Sequence, residues 1–166
     1  MTAANGRPEG MAMLVIGYGN AGRGDDGLGP AFAERILAAG VQDCAVDIDY
    51  QLTVDHALQV AGASTVVFVD AMIGVEGPFR FSPVRADKAA DLTSHSLQPE
   101  AVLTLAEMLY DAAPEAFVLG IAGASFGEVA EGLSGPARRN LGQAEAFFLD
   151  WVRARPATTG AVMTDA

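Results

Sequence analysis

The sequence is poor in several residue types that mark common functions. It has one lysine, Lys88, and nine scattered arginines against 21 acidic residues, for a formal net charge of −11 over 166 residues. Nucleic acid and anionic membranes are bound through clustered Lys and Arg; this chain has no such cluster, so neither is an expected partner. The single cysteine, Cys44, excludes an internal disulfide and any Cys-based zinc cluster. It lies in an apolar run, where a packed, unreactive thiol is expected. No apolar run reaches the roughly 18–20 residues that span a bilayer. The first ten residues lack the apolar core of a signal peptide. These absences predict a cytoplasmic, monomeric protein.

What remains is 51% hydrophobic, enough for the core of one domain of ordinary size. Residues 1–10 and 156–166 read as disordered tails flanking a single domain over 11–155. Apolar runs at "MAMLVIGY", "CAVDIDYQL", "STVVFVDA" and "AFVLGIAG" predict buried strands. "PFRFSPV" alternates and reads as an edge strand, where Pro83 is tolerated. Between them lie helical segments. "LGPAFAERILAAG" places Leu28, Phe32, Ile36 and Leu37 inward and ends at Gly40. "TVDHALQVAGA" has Thr53 as its cap. "QPEAVLTLAEMLYDAA" buries Val102, Leu105, Ala106 and Leu109. "SGPARRNLGQAEAFFLDWVRAR" has Ser134 as its cap and Leu141, Phe148, Trp151 and Val152 inward. Alternation of strands and helices predicts an α/β fold, a three-layer helix–sheet–helix with a twisted, mostly parallel sheet of about five strands. With the first strand between the second and third, ligands would bind at the carboxyl edge of the sheet, where the strand order reverses.

The loop at that point is "GYGNAGRGDDGLGP", residues 17–30, and three chemistries compete for it. Gly17, Gly19 and Gly22 form G-x-G-x-x-G, the fingerprint of a dinucleotide-binding module, with Asp49 late in the second strand as a ribose-binding acid. Against this, Asp25 and Asp26 stand where a pyrophosphate would sit, and like charges a few ångströms apart cost on the order of 1–4 kcal/mol. "GASFG", residues 123–127, matches the G-x-S-x-G of serine hydrolases. No helix follows it directly and no histidine lies beyond His95, so the match is read as accidental.

The third chemistry is a cation site. Asp26 leaves the loop, Asp70 ends the third strand, and His95 lies in a polar loop entering a helix. Two carboxylates and an imidazole suit borderline divalent ions such as Zn²⁺, Ni²⁺ or Mn²⁺ and leave positions open for substrate. Asp70 ends a wholly apolar run, where a carboxylate is costly without a partner. Asp25 is expected to cap the following helix or orient the loop. His56 is expected to face solvent.

The segments "LVIGYGNAGRGDDGLGPAFAERI", "VVFVDA" and "SHSLQPEAVLTLAEMLY", in this order and spacing from about Met13 to Trp151, resemble the hydrogenase maturation endopeptidases. The stretches 50–71 and 126–144 are most similar to the branch serving cytoplasmic, NAD-reducing-type hydrogenases. The resemblance implies a metal-dependent, nickel-sensing endopeptidase. Its partner would be the nickel–iron hydrogenase large-subunit precursor, whose C-terminal extension it removes after nickel insertion. It also implies that Asp26, Asp70 and His95 contact the metal. The first of these positions is often Glu in the family, so Asp26 is shorter by one methylene. The nickel would be carried by the substrate, leaving the purified protein metal-free or holding a surrogate divalent ion. A non-catalytic nickel- or precursor-docking protein would use the same residues without cleavage.

Overall fold

A computed structural model describes residues 11–127 and 129–156. The tails expected at 1–10 and 156–166 lie outside the described residues, apart from Pro156. Five strands form one sheet: β1 (Met11–Tyr18), β2 (Cys44–Asp49), β3 (Ala63–Met72), β4 (Phe79–Pro83) and β5 (Glu115–Ala122), in the order β2-β1-β3-β5-β4. All neighbours pair in parallel except β4, which runs antiparallel to β5 at the edge. Pro83, with no N–H to donate, ends that edge strand. The order reverses beside β1, as the sequence predicts.

Alternation along the strands splits the core into two layers. Leu14, Ile16, Val66 and Phe68 face α2 (His56–Ala61) and α3 (Pro99–Tyr110). Met13, Val15, Val67, Val69, Leu119 and Ile121 face α1 (Leu28–Ala39) and α4 (Gly135–Ala154). Phe32 of α1 and Phe148 of α4, both fully buried, meet edge to face at 5.4 Å. Each ring contributes about 1.5–3 kcal/mol by burial.

Helix α1 starts at Leu28 and ends at Gly40, whose left-handed backbone closes the last turn as a glycine readily does. Pro99 occupies the first turn of α3, where its missing N–H costs nothing. Ser134 caps α4 by accepting from the Ala137 N–H. Three expectations need correction. Leu37 and Leu109 are 62% and 61% exposed: Leu37 lies at the edge of the apolar stripe of α1, and Leu109 lies in the last turn of α3, beyond Ala106 where its buried face ends. Thr53 does not cap α2 with its side chain; the helix begins only at His56. Cys44 is half-buried, and burial pushes its thiol up to about 11, in keeping with an unreactive group.

Gly29 shows how closely α1 is seated on the sheet. A Cβ at this position would overlap backbone oxygens of Tyr18 and Val69, so the helix approaches β1 and β3 only because the side chain is absent. Gly29→Ala is expected to lower stability by about 1–3 kcal/mol, read as a lower urea midpoint with an unchanged m-value.

Candidate functional site

The carboxyl ends of β1, β2 and β3 meet under the loop that joins β1 to α1. Its residues Gly24–Gly27 form a single 3₁₀ turn that carries both acids of the sequence motif. The two acids have separate tasks.

Asp25 is fully buried. Its Oδ2 accepts from the backbone N–H groups of Ala124 and Ser125, both at 2.8 Å, and from the Ser134 hydroxyl at 2.7 Å; its Oδ1 accepts from the Ser134 N–H at 2.8 Å. Burial alone would raise this carboxyl, but the four donors outweigh it and hold it below the usual carboxylate range. In return the Asp25 N–H donates to the Ser125 carbonyl. Asp25 therefore does not cap α1. It ties the loop to the segment after β5 and to the start of α4. The "GASFG" segment is thereby explained: two of its amides hold a carboxylate.

Asp26 is only half-buried. Its Oδ2 accepts from the Asn20 N–H at 2.9 Å. Asn20 is fixed in turn: its Oδ1 accepts from the Gly22 N–H and its Nδ2 donates to the Tyr50 hydroxyl, both at 2.9 Å. Gly19 has φ +146°, and a Cβ there would meet the Asp26 carbonyl; the glycine lets the acid fold back over the end of β1.

Asp70 ends the apolar run of β3, in register with Gly120. Its Oδ1 accepts from the Ala71 N–H at 2.8 Å, and the Tyr18 hydroxyl donates to the same carboxylate. Burial pushes the Asp70 carboxyl up to about 6, and the charge of Asp26 adds to the rise against the pull of those two hydrogen bonds. The Tyr18 phenol is itself raised, by burial first and then by the charge of Asp70. The structure thus sets Asp26 and Asp70 within electrostatic reach of each other. Sequence reasoning missed Tyr18. The signal was there: it continues the Leu14–Ile16 alternation and so shares a face with Phe68 and Asp70.

His95 lies on the same edge of the sheet. Its carbonyl accepts from Gln51 Nε2, and the Leu97 N–H donates to the Leu52 carbonyl, which pins the loop to the segment after β2. The His95 residue is exposed. Asp26, Asp70 and His95 do not bring ligand atoms within 4.8 Å of one another. Among the described residues the group that does is Asp47, Asp49 and His56.

His56 corrects the sequence reading outright: it is buried, with Nε2 3.3 Å from Oδ2 of both Asp47 and Asp49. Val54 and Leu58 are exposed instead. The spacing would admit a metal, but the tautomer opposes one. The Thr53 N–H donates to Nδ1 at 3.0 Å, which places the imidazole proton on Nε2, where a metal would need the lone pair. Metal-binding histidines show the reverse, donating from the ring nitrogen that the metal does not use. His56 clamps the two carboxylates instead.

The loop also argues against the dinucleotide alternative. The N–H groups of Gly19, Asn20, Gly22, Arg23, Gly24, Asp25 and Asp26 all have acceptors within the protein. No row of amides remains to receive a pyrophosphate.

No family model matches this chain, and no curated protein does. Solved structures match in fold. The hydrogenase maturating endopeptidase HybD from E. coli superposes with a TM-score of 0.65 at 17% identity, over 86% of this chain and 93% of that one. The nickel–iron hydrogenase maturation protease HycI from Thermococcus kodakarensis gives 0.66 at 19%, again over 86% and 93%. A hydrogenase 2 maturation peptidase from a Thaumarchaeota archaeon gives 0.62 at 20%, over 85% and 97%. The chain has the fold of these proteases.

Proposed function

We propose that this protein is an endopeptidase that removes the C-terminal extension of a nickel–iron hydrogenase large-subunit precursor after nickel insertion. The observation that carries the reading is the pairing of Asp26 and Asp70 on the carboxyl edge of a fold shared with hydrogenase maturation proteases. Each carboxylate keeps acceptor capacity beyond the bonds that orient it: Asp26 through Oδ1, Asp70 through its remaining lone pairs. Two oxygen donors and the exposed imidazole of His95 suit Ni²⁺.

In this reading the nickel is part of the substrate. The precursor docks, the metal it carries meets Asp26, Asp70 and His95, and the scissile carbonyl is polarised by the ion. Asp25 and Asn20 hold the loop so that Asp26 is already in place. His95, exposed on the same edge, supplies the imidazole when substrate brings the metal. Metal-free precursor is rejected because Asp26, Asp70 and His95 then have no ion to contact. The stretches 50–71 and 126–144 support a soluble, NAD-reducing-type hydrogenase as the source of the substrate.

The test is cleavage of purified precursor, with and without nickel, followed as a mobility shift on a gel. Nickel-loaded precursor is expected to be shortened and nickel-free precursor left intact. Equal cleavage of both would overturn nickel sensing. Binding of the loaded precursor without any change in its length would make this a docking protein instead.

A further inference from the structure

The clamp at His56 continues into the candidate site. The Oδ1 of Asp49 accepts from the Tyr50 N–H at 2.7 Å, and the Asp49 carbonyl accepts from the Gly19 N–H at 3.2 Å. The Tyr50 hydroxyl accepts from Asn20 Nδ2, and the Asn20 N–H donates to Asp26 Oδ2. From Thr53 to Asp26 the contacts are unbroken: Thr53 N–H to Nδ1, Nε2 to the two β2 carboxylates, Asp49 to Tyr50, Tyr50 to Asn20, Asn20 to Asp26. They join the entry to α2, the carboxyl end of β2 and the β1–α1 loop.

We propose that His56 is a positioning residue for Asp26, acting through Asp49, Tyr50 and Asn20. The buried end of this chain is rigid: His56 is 2% exposed and held at both ring nitrogens. The far end is on the surface, where Tyr50 is 62% exposed and gives the half-buried Asn20 side chain a second hold beside the Gly22 N–H. A side chain on a mobile loop loses orientation unless fixed elements support it, and a site about 1 Å out of place can lose two orders of magnitude in rate. His56 supplies that support from inside the fold. The link to cleavage rests on the protease reading; the link to Asp26 does not.

Two variants of the full chain separate these links. Tyr50→Phe removes one hydroxyl from the surface, and His56→Gln keeps a polar side chain of similar reach. In each, the amide resonance of Asn20 and the carboxyl carbon resonance of Asp26 are followed by NMR. Both are expected to move from their wild-type positions, by more in His56→Gln. Resonances that stay put in Tyr50→Phe, which folds regardless of His56, would overturn the relay. With nickel-loaded precursor, kcat is expected to fall about tenfold in Tyr50→Phe while KM changes little, since only one hydroxyl, already bonded to Asn20, is removed. Shifted resonances with unchanged kcat would overturn the positioning role. Failure of the wild type to cleave would overturn the protease reading alone, the resonances still deciding the relay. The nitrogen-15 spectrum of His56 is expected to show a bare Nδ1 and a protonated Nε2, unaltered by added Zn²⁺; a zinc-dependent shift would overturn the clamp.

Discussion

Asp70→Asn is expected to leave a protein that cannot process precursor yet resists denaturant better than the wild type at pH 7. The reason is the cost of holding a charge at the end of an apolar strand beside Asp26. Folding raises the Asp70 carboxyl from an ordinary 3.8 to about 6. The folded state therefore binds this proton more tightly than the unfolded state. Stability falls as pH rises from about 4 to about 6, and above that the full cost is present. Two pKa units correspond to about 3 kcal/mol. Partial exposure of the carboxyl and imperfect replacement reduce the gain expected from Asn to about 1–2 kcal/mol. Asn retains Oδ1 for the Ala71 N–H, so the backbone partner is not lost. Urea unfolding at pH 7 and pH 4 checks the sign: the gain should be present at pH 7 and vanish at pH 4. Cleavage by the wild type should rise with pH through a limb near 6, as Asp70 ionises to meet the metal. A variant as active as wild type, or less stable at pH 7, would remove Asp70 from the role given to it.

Asp25 predicts the opposite. Asp25→Ala is expected to cost about 3–5 kcal/mol, since it leaves several buried donors unsatisfied at about 1–3 kcal/mol each. It strands the N–H groups of Ala124, Ser125 and Ser134 away from water. Asp25→Asn keeps the shape but replaces one accepting oxygen with a donor, which then faces donors. It should recover little. Ser134→Ala, which removes one hydroxyl donor and the α4 cap, should cost about 1–2 kcal/mol. Chemical denaturation of the three variants gives the ranking directly. The charge on Asp25 contributes stability above the ordinary carboxylate range, and that contribution is lost as pH falls through its lowered folded value. Acid titrations of Asp25 and Asp70 thus affect stability in opposite directions in one molecule.

The strands were legible in the sequence because parallel sheets bury both faces and leave contiguous apolar runs, as at Ala63–Met72. The edge position of β4 followed from Pro83 and alternation. Asp70 stood out because it interrupts such a run, and Asp26 because two acids spoil a glycine loop for phosphate. Asp25's partners were not legible: they lie 99 to 109 residues away, and nothing in "GASFG" announces a carboxylate receptor. Reading a helix from Thr53 with Val54 and Leu58 on its inward face turns His56 toward solvent. The helix begins three residues later, and its buried face is His56, Ala57, Val60 and Ala61. An imidazole is accepted there only because Asp47 and Asp49 of β2 lie opposite, a pairing that exists in three dimensions alone.

The reach of Asp25 has a consequence for how the chain is made. Its four donors belong to residues translated 99 to 109 positions later. At about 5–20 residues per second, the carboxylate waits about 5–20 s for them on the ribosome. Until Ala124 and Ser125 have emerged nothing anchors the β1–α1 loop from beyond β5, and the set of donors is complete only with Ser134. The β1–α1 loop is synthesised long before the residues that anchor it and is among the last parts of the fold to take its final shape.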